Sequence, residues 1–326
     1  MKTGINIWLK KFKVRKYFVS IIIPTYNAQK FLDRCLKSIK KQDFPKNKYE
    51  ILIIDGDSTD NTVAVAKEWG AKILENPFRD AESGKAIGIN NAKGEIIALI
   101  DADNELVEKT WLSQMVKPLQ KDKKVFGVES PWLVRENDSS LNQYFALLRI
   151  ADPLARKLHP RANIIDKKDY LIYEIKVGEA PVIGANGFLY RKNFINKIGF
   201  GEKFEEVNFV SKLVSRGFIR YAVPKNIGIY HHYVSSVKDY IKKRIKIGKK
   251  FMARKAKRQE TWVDKTTKID FLMSVLYNIS IIGPLIESIR EYSKSKNPAW
   301  FWHPIISFLT IIIYTLIFIL SKLKIV

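Results

Sequence analysis

Between residues 18 and 103 the chain alternates four short, apolar, β-branched runs with helix-like stretches, and this alternation constrains the fold more than any other feature. The runs are "FVSIIIP" (18–24), "YEILIID" (49–55), "AKIL" (71–74) and "EIIALIDAD" (95–103). The first interval, "NAQKFLDRCLKSIKK", places Phe31, Leu32, Cys35, Leu36 and Ile39 on one helical face. The second, "STDNTVAVAKEWG", offers Ser58 or Thr59 as an N-cap and Gly70 as a stop. The third, "SGKAIGINNAKG", reads as a helix closed by Gly94. Apolar strands alternating with helices predict βαβ units, an α/β fold with a mostly parallel sheet covered on both faces. In such sheets ligands bind beyond the carboxyl ends of the strands. Three strands end in polar clusters: "PTYN" at 24–27, "DGDSTDN" at 55–61 and "DADN" at 101–104. One acidic loop is ordinarily a solvated turn. Three at the same end of three strands predict a shared crevice.

Charge and the C-terminal third narrow the setting. The chain has 326 residues with Lys+Arg 57 against Asp+Glu 33, a net charge of +24, which favours an anionic partner. The single cysteine, Cys35, excludes an internal disulfide and fits a reducing compartment. The basic leader, 1–18, lacks the pattern of a secretory signal. Residues 300–320, "WFWHPIISFLTIIIYTLIFIL", carry no formal charge and would rise roughly 30 Å as a helix, about one hydrocarbon core. Trp300 and Trp302 at one end, and Lys322 and Lys324 at the other, read as interface anchors. The stretch 269–286 is apolar but interrupted by Asp270, Asn278 and Gly283-Pro284, leaving spanning, re-entrant and in-plane helices open. A cytoplasmic tail together with a cytoplasmic catalytic part would require it to span as well. Before it, 236–265 holds a basic amphipathic helix. Val237, Ile241, Ile245, Gly248 and Met252 share one face, with Tyr240 and Phe251 beside them, which is the pattern of an anionic membrane surface. A nucleic-acid reading fits the charge alone, but the apolar segments that follow favour lipid. No nucleic acid is expected as partner.

From about Val19 to His232 the chain resembles family 2 glycosyltransferases of the GT-A fold. The resemblance rests on four motifs in order: "IIIPTYN", "IIDGDSTDNT", the basic helix "SGKAIGINNAKGE", and the DxD-type "DADN". Ahead of the membrane region that the apolar segments place within 266–326, with spans near 269–286 and 300–320, the resemblance implies a GT-A domain over 19–235. It also implies a nucleotide-sugar donor and a divalent cation, Mn or Mg, that neutralises the leaving diphosphate. By resemblance Asp103 is the metal ligand and Asp101 supports the metal or the ribose. Asp55 and Asp57 lie near the nucleobase and ribose, Tyr26 stacks nearby, and Pro24, Thr25 and Asn27 are close. Lys85 faces the diphosphate, where many relatives carry Arg. "ESGKA" is not a P-loop, since Arg79 stands where its first Gly would be. In "VIGANGFLYRKNFINKIGF", 182–200, Gly184 and Gly187 would let backbone approach the acceptor sugar.

The acidic pair Glu205-Glu206 falls where relatives carry the catalytic base, with Glu206 preferred. His231, in preference to His232, would complete the metal site. The resemblance therefore predicts inverting transfer to a membrane-associated acceptor: a lipid-linked saccharide, a glycolipid or a polyprenyl phosphate. It places the catalytic domain on the cytoplasmic face. Two rivals are weighed against it. A nucleotidyltransferase would want a Gly-rich loop after the first strand, which "PTYNAQK" lacks. A membrane-anchored nucleotide-sugar binding module would have no need of Asp101, Asp103 and Glu206 together.

Overall fold

A computed structural model describes residues 18–257, 259 and 261–323, so nearly all of the basic leader lies outside the described residues. The first half runs β1 (Val19–Thr25), α1 (Gln29–Lys40), β2 (Tyr49–Asp55), α2 (Thr62–Glu68), β3 (Lys72–Glu75), α3 (Ala81–Asn91), β4 (Ile96–Leu99), β5 (Asn104–Leu106), α4 (Trp111–Lys121) and β6 (Val125–Val128). There follow α5 (Ser140–Leu148), α6 (Pro153–Leu158), β7 (Asn163–Asp166), β8 (Tyr170–Glu174), β9 (Phe188–Arg191), α7 (Lys192–Ile198), α8 (Glu206–Ser215), β10 (Arg220–Pro224) and β11 (Ile229–His231). The chain closes with α9 (Val237–Ala256), α10 (Lys268–Ile279), α11 (Ile282–Ser295) and α12 (Trp302–Lys322).

Nine strands form one sheet in the order β3-β2-β1-β4-β9-β6-β10-β8-β7. Strands β3, β2, β1 and β4 are mutually parallel, β9 inserts antiparallel, and β10 runs parallel to β6. Side chains alternate across each strand. Ile21, Ile23, Ile51 and Ile53 therefore pack with Leu32, Leu36 and Trp111 on one face, while Ile22, Leu52 and Ile54 pack with Ala86, Ile89 and Val210 on the other. Both faces are covered, as the double-sided apolar runs predict. On α1, four of the five expected core positions are buried. Phe31 is half-exposed and stacks on His232, with ring centroids 4.8 Å apart.

Several local expectations are corrected. The fourth strand stops at Leu99 rather than reaching Asp103. Asn104 closes a turn, its Oδ1 accepting from the Asp101 N–H at 3.0 Å and its own N–H donating to the Asp101 carbonyl at 3.0 Å, so "DADN" is a turn between β4 and β5. Neither Ser58 nor Thr59 caps α2, whose N-cap is Asn61. Gly94 lies past the end of α3 at Asn91. It is small because a Cβ there would meet the Ser20 nitrogen at 2.5 Å. In α9 the buried stripe is Tyr240, Arg244 and Gly248, while Ile245 is exposed. Tyr240 and Gly248 face the C-terminal helix, and that contact rather than the aliphatic face fixes the orientation. The break near 283–284 sits at Ser280-Ile281, where Ile281 takes φ 61°. Gly283 and Pro284 fall inside the first turn of α11, where a proline removes no helical hydrogen bond.

Candidate active site

The parallel strands deliver their carboxyl ends to one edge, and register sets what meets there. Thr25 lies opposite Asp55 in the β1–β2 ladder and donates to its Oδ1 at 2.8 Å. The Ser58 N–H and hydroxyl donate to the same carboxylate at 2.8 and 2.6 Å. Ser58 and Thr59 are thereby committed to the loop: the Asn27 N–H donates to Ser58 at 2.9 Å, and the Thr59 N–H donates to Asn27 Oδ1 at 2.8 Å. This lattice ties "PTYN" to "DGDSTDN" and holds Asp55 buried while Tyr26 stands exposed at the rim. Pro24 lies below, at the end of β1. Asp57 is exposed and ion-paired with Arg79, a residue that spacing alone does not single out.

A second small sheet supplies the other wall. Strands β5 and β11 pair antiparallel, with His231 opposite Asn104. That register sets His231 beside the "DADN" turn. Asp101, Asp103 and His231 each bring one ligand atom to within 4.8 Å of the others. His231 Nε2 lies 3.5 Å from Asp103 Oδ1, and its Nδ1 is buried with no hydrogen-bond partner. Burial pushes the His231 pKa down to about 4, leaving a neutral imidazole at pH 7. Burial and then the Asp101 charge push the Asp103 carboxyl up to about 7. Two carboxylates that repel each other, beside a neutral imidazole, suit a divalent cation that accepts oxygen with one nitrogen. Asp101 and Asp103 converge on one locus here, because a turn rather than a strand carries them. His232 does not join the cluster; it faces Phe31.

Lys85, on α3, and Glu206, the first residue of α8, are both buried and form an ion pair. Burial raises the Glu206 pKa above the usual carboxylate range, with Lys85 offsetting part of the rise. Burial alone would lower the pKa of Lys85, but the Glu206 and Asp101 charges outweigh it and raise it. Asp101 thus connects the pair electrostatically to the cluster. Glu205 stands apart, paired with Arg254 of α9 and accepting from Asn208 at 2.6 Å. Gly184 and Gly187 have φ of 112° and 85°. A Cβ on Gly184 would meet the Tyr190 hydroxyl at 2.2 Å, and one on Gly187 would meet Ser130 at 3.0 Å.

Two residues escaped the sequence reading. Trp132 packs edge-on against His231 at 4.6 Å, and Asn186 holds φ 50° with a buried Oδ1 that has no partner. Trp132 follows the carboxyl end of β6, a fourth strand end that the same rule would have flagged. Asn186 sits in a loop, where periodicity gives no signal.

The sheet, covered on both faces and open at the polar ends of β1, β2 and β4, has the architecture of a GT-A fold. The chain belongs to glycosyl transferase family 2: that family model matches residues 20–174, and a whole-length relative agrees. The relative is the dolichyl N-acetyl-alpha-D-glucosaminyl phosphate 3-beta-D-2,3-diacetamido-2,3-dideoxy-beta-D-glucuronosyltransferase of Methanococcus voltae, 30% identical over 90% of this chain and 93% of its own. A second is the GalNAc(5)-diNAcBac-PP-undecaprenol beta-1,3-glucosyltransferase of Campylobacter jejuni, 26% identical over 57% of this chain and 55% of its own. Among solved structures, the mannosyltransferase PcManGT of Pyrobaculum calidifontis, in complex with GDP-Man and Mn2+, superposes with a TM-score of 0.56 at 16% identity. The match covers 97% of this chain and 93% of that one, and it shows a shared fold.

Proposed function

We propose that this enzyme transfers a sugar from a nucleotide-sugar to a hydroxyl of a lipid-linked saccharide, with inversion at the anomeric carbon and with a divalent cation, Mn or Mg. The observation that carries the reading is the convergence of Asp101, Asp103 and His231 within 4.8 Å, next to the buried Lys85–Glu206 pair. Asp101, Asp103 and His231 would hold the cation, which would supply charge neutralisation for the leaving diphosphate. Thr25, Asn27, Asp55 and Asp57 present polar groups to the nucleoside, and Tyr26 offers an exposed ring for stacking. Lys85 has two anionic choices, Glu206 and the diphosphate. A donor that draws Lys85 toward its phosphates releases the Glu206 carboxylate, whose raised pKa suits a base taking the proton of the attacking hydroxyl. One base and no protein nucleophile make a single displacement, hence inversion.

The relatives support this acceptor class. Both are named for transfer onto a polyprenyl-linked saccharide, and the Methanococcus voltae name specifies position 3 of a dolichyl-phosphate-linked sugar. A sugar hydroxyl needs a base; a bare polyprenyl phosphate would not. The lysine-rich α9 favours the cytoplasmic side of the membrane. The test is a transfer assay with a panel of nucleotide-sugars and a polyprenyl-diphosphate-linked monosaccharide, reading the product's anomeric coupling by NMR. Inverted product from one donor, formed only with added cation, is the expected result. Retained configuration, or transfer in the presence of a chelator, contradicts the reading.

A further inference from the structure

Helices α10, α11 and α12 each have two unlike faces. The inner faces are held to the catalytic body by polar contacts. Ser274 donates to the Leu154 carbonyl at 3.2 Å. Glu287 accepts from Arg156 at 3.0 Å and Lys157 at 2.8 Å. Tyr144 and His303 share a hydrogen bond of 2.8 Å. The outer faces are apolar and exposed, with Leu272 on α10, Ile286 on α11, and Ile305, Ile312 and Ile319 in one row on α12.

α12 is apolar and long enough to cross a membrane, yet its surroundings oppose crossing. Its buried positions lie on one side between His303 and Ile317, and residues 318–322 are not buried. Along that length it packs against α9, against α5 and α6 of the catalytic body, and against α10 and α11. α9 follows it residue for residue: Tyr240 meets Thr310, Arg244 meets Tyr314, and Gly248 faces Ile317. α9 also carries exposed Lys242, Lys246 and Lys249 on its free side. A helix clamped to so basic a neighbour cannot enter the hydrocarbon core without drawing those ammonium groups in with it, which is strongly unfavourable. Trp300 and Trp302 are not lipid anchors either. Trp300 is buried in the cluster around Tyr144, and Trp302 donates to Ser140 at 3.1 Å. α10 and α11 are bent by 76° at their junction, too sharply for one straight crossing.

We propose that α10, α11 and α12 form a platform lying in the plane of one leaflet of an anionic membrane, and that this C-terminal region does not cross it. The apolar outer faces enter the acyl boundary, while Arg290 and Lys294, exposed beside Ile286 and Ile289 on α11, meet the anionic headgroups. That charge complementarity, in a chain of net charge +24, favours a lipid surface over a second copy of the same basic chain. The inference stands independently of the catalytic reading.

The test measures depth along α12. Ile305→Cys, Ile312→Cys and Ile319→Cys are made one at a time in the full chain; all three side chains are exposed, and the native Cys35 is buried beyond reach of label. Each is labelled with a small fluorophore and bound to vesicles of phosphatidylcholine with phosphatidylglycerol, containing lipids spin-labelled at shallow or deep acyl positions. Vesicle flotation equal to the parent's checks that each variant is folded. An in-plane helix gives three labels at one shallow depth, with flotation weakened by salt. A crossing helix spreads residues 305 and 319 over about 21 Å of depth, with Ile312 deepest, and that pattern overturns the proposal. Labels untouched by either quencher, together with a dimer mass by light scattering, also overturn it, by showing that a second copy covers the face.

Discussion

The proposed chemistry concentrates on Asp103, which shares a corner with Asp101 and a neutral His231. Asp103→Asn keeps the shape and removes the charge, and activity should fall by at least about two orders of magnitude, because cation stabilisation of the leaving group is worth several kcal/mol. Steady-state rates at saturating Mn check this. Glu206→Gln should lower turnover roughly a hundredfold or more, while Glu205→Gln should change it little, because Glu205 is held by Arg254 and Asn208. Glu206→Gln also leaves Lys85 buried without a countercharge, a cost of about 3–5 kcal/mol, so circular dichroism must accompany the rate. A pH profile separates the two effects. Burial raises the Glu206 pKa, and a base works only when deprotonated. With Mn saturating, so that Asp103 stays ionised, the rate should fall on acidification at a pH above the ordinary Glu value of about 4.3. That acid limb should vanish in Glu206→Gln. Asp101 and Asp103 were legible as a strand-end cluster, whereas Lys85, Glu205, Glu206 and His231 were singled out by the resemblance alone. The Lys85–Glu206 pair was not legible, because it joins two helices 121 positions apart.

At the scale of elements, three-residue strands do much of the positioning. β5 and β11 are too short to show periodicity, yet their register is what seats His231 against the "DADN" turn. The parallel strands, by contrast, announced themselves through apolar runs buried on both faces. α9 was legible as a basic amphipathic helix, but its buried face was not, because the stripe runs through an arginine and a glycine. Gly248 gives a direct probe of that face. A Cβ there would lie 2.5 Å from Ile317 Cδ1. The end of a flexible side chain can shift for alanine, but Gly248→Leu must force α9 and α12 apart. Overpacking of this kind costs about 1–3 kcal/mol. Thermal unfolding in detergent should show a clearly lowered midpoint for Gly248→Leu and a smaller change for Gly248→Ala.

For the whole molecule, the C-terminal helices are part of the folded body. Trp300 and Ile306 complete the cluster of Tyr144, Phe145, Tyr233 and Tyr240. Burying one such side chain is worth about 1.5–3 kcal/mol, against a total stability of about 5–15 kcal/mol. Deleting 300–326 should therefore abolish cooperative unfolding, and differential scanning fluorimetry checks it; a soluble, fully folded truncation would contradict this packing. An apolar 21-residue run looks the same in sequence whether lipid or protein surrounds it; in the structure the side carrying His303, Thr310 and Ile317 is buried against protein and the side carrying Ile305, Ile312 and Ile319 is exposed. The central claim is that Asp101, Asp103 and His231 hold a cation against a donor diphosphate. Calorimetric titration of nucleoside diphosphates tests it most directly, comparing the full chain with Asp103→Asn, each with Mn and with chelator. The account predicts one nucleotide that binds the full chain only with Mn and fails to bind Asp103→Asn under either condition; equal affinity with chelator, or in Asp103→Asn, would contradict it.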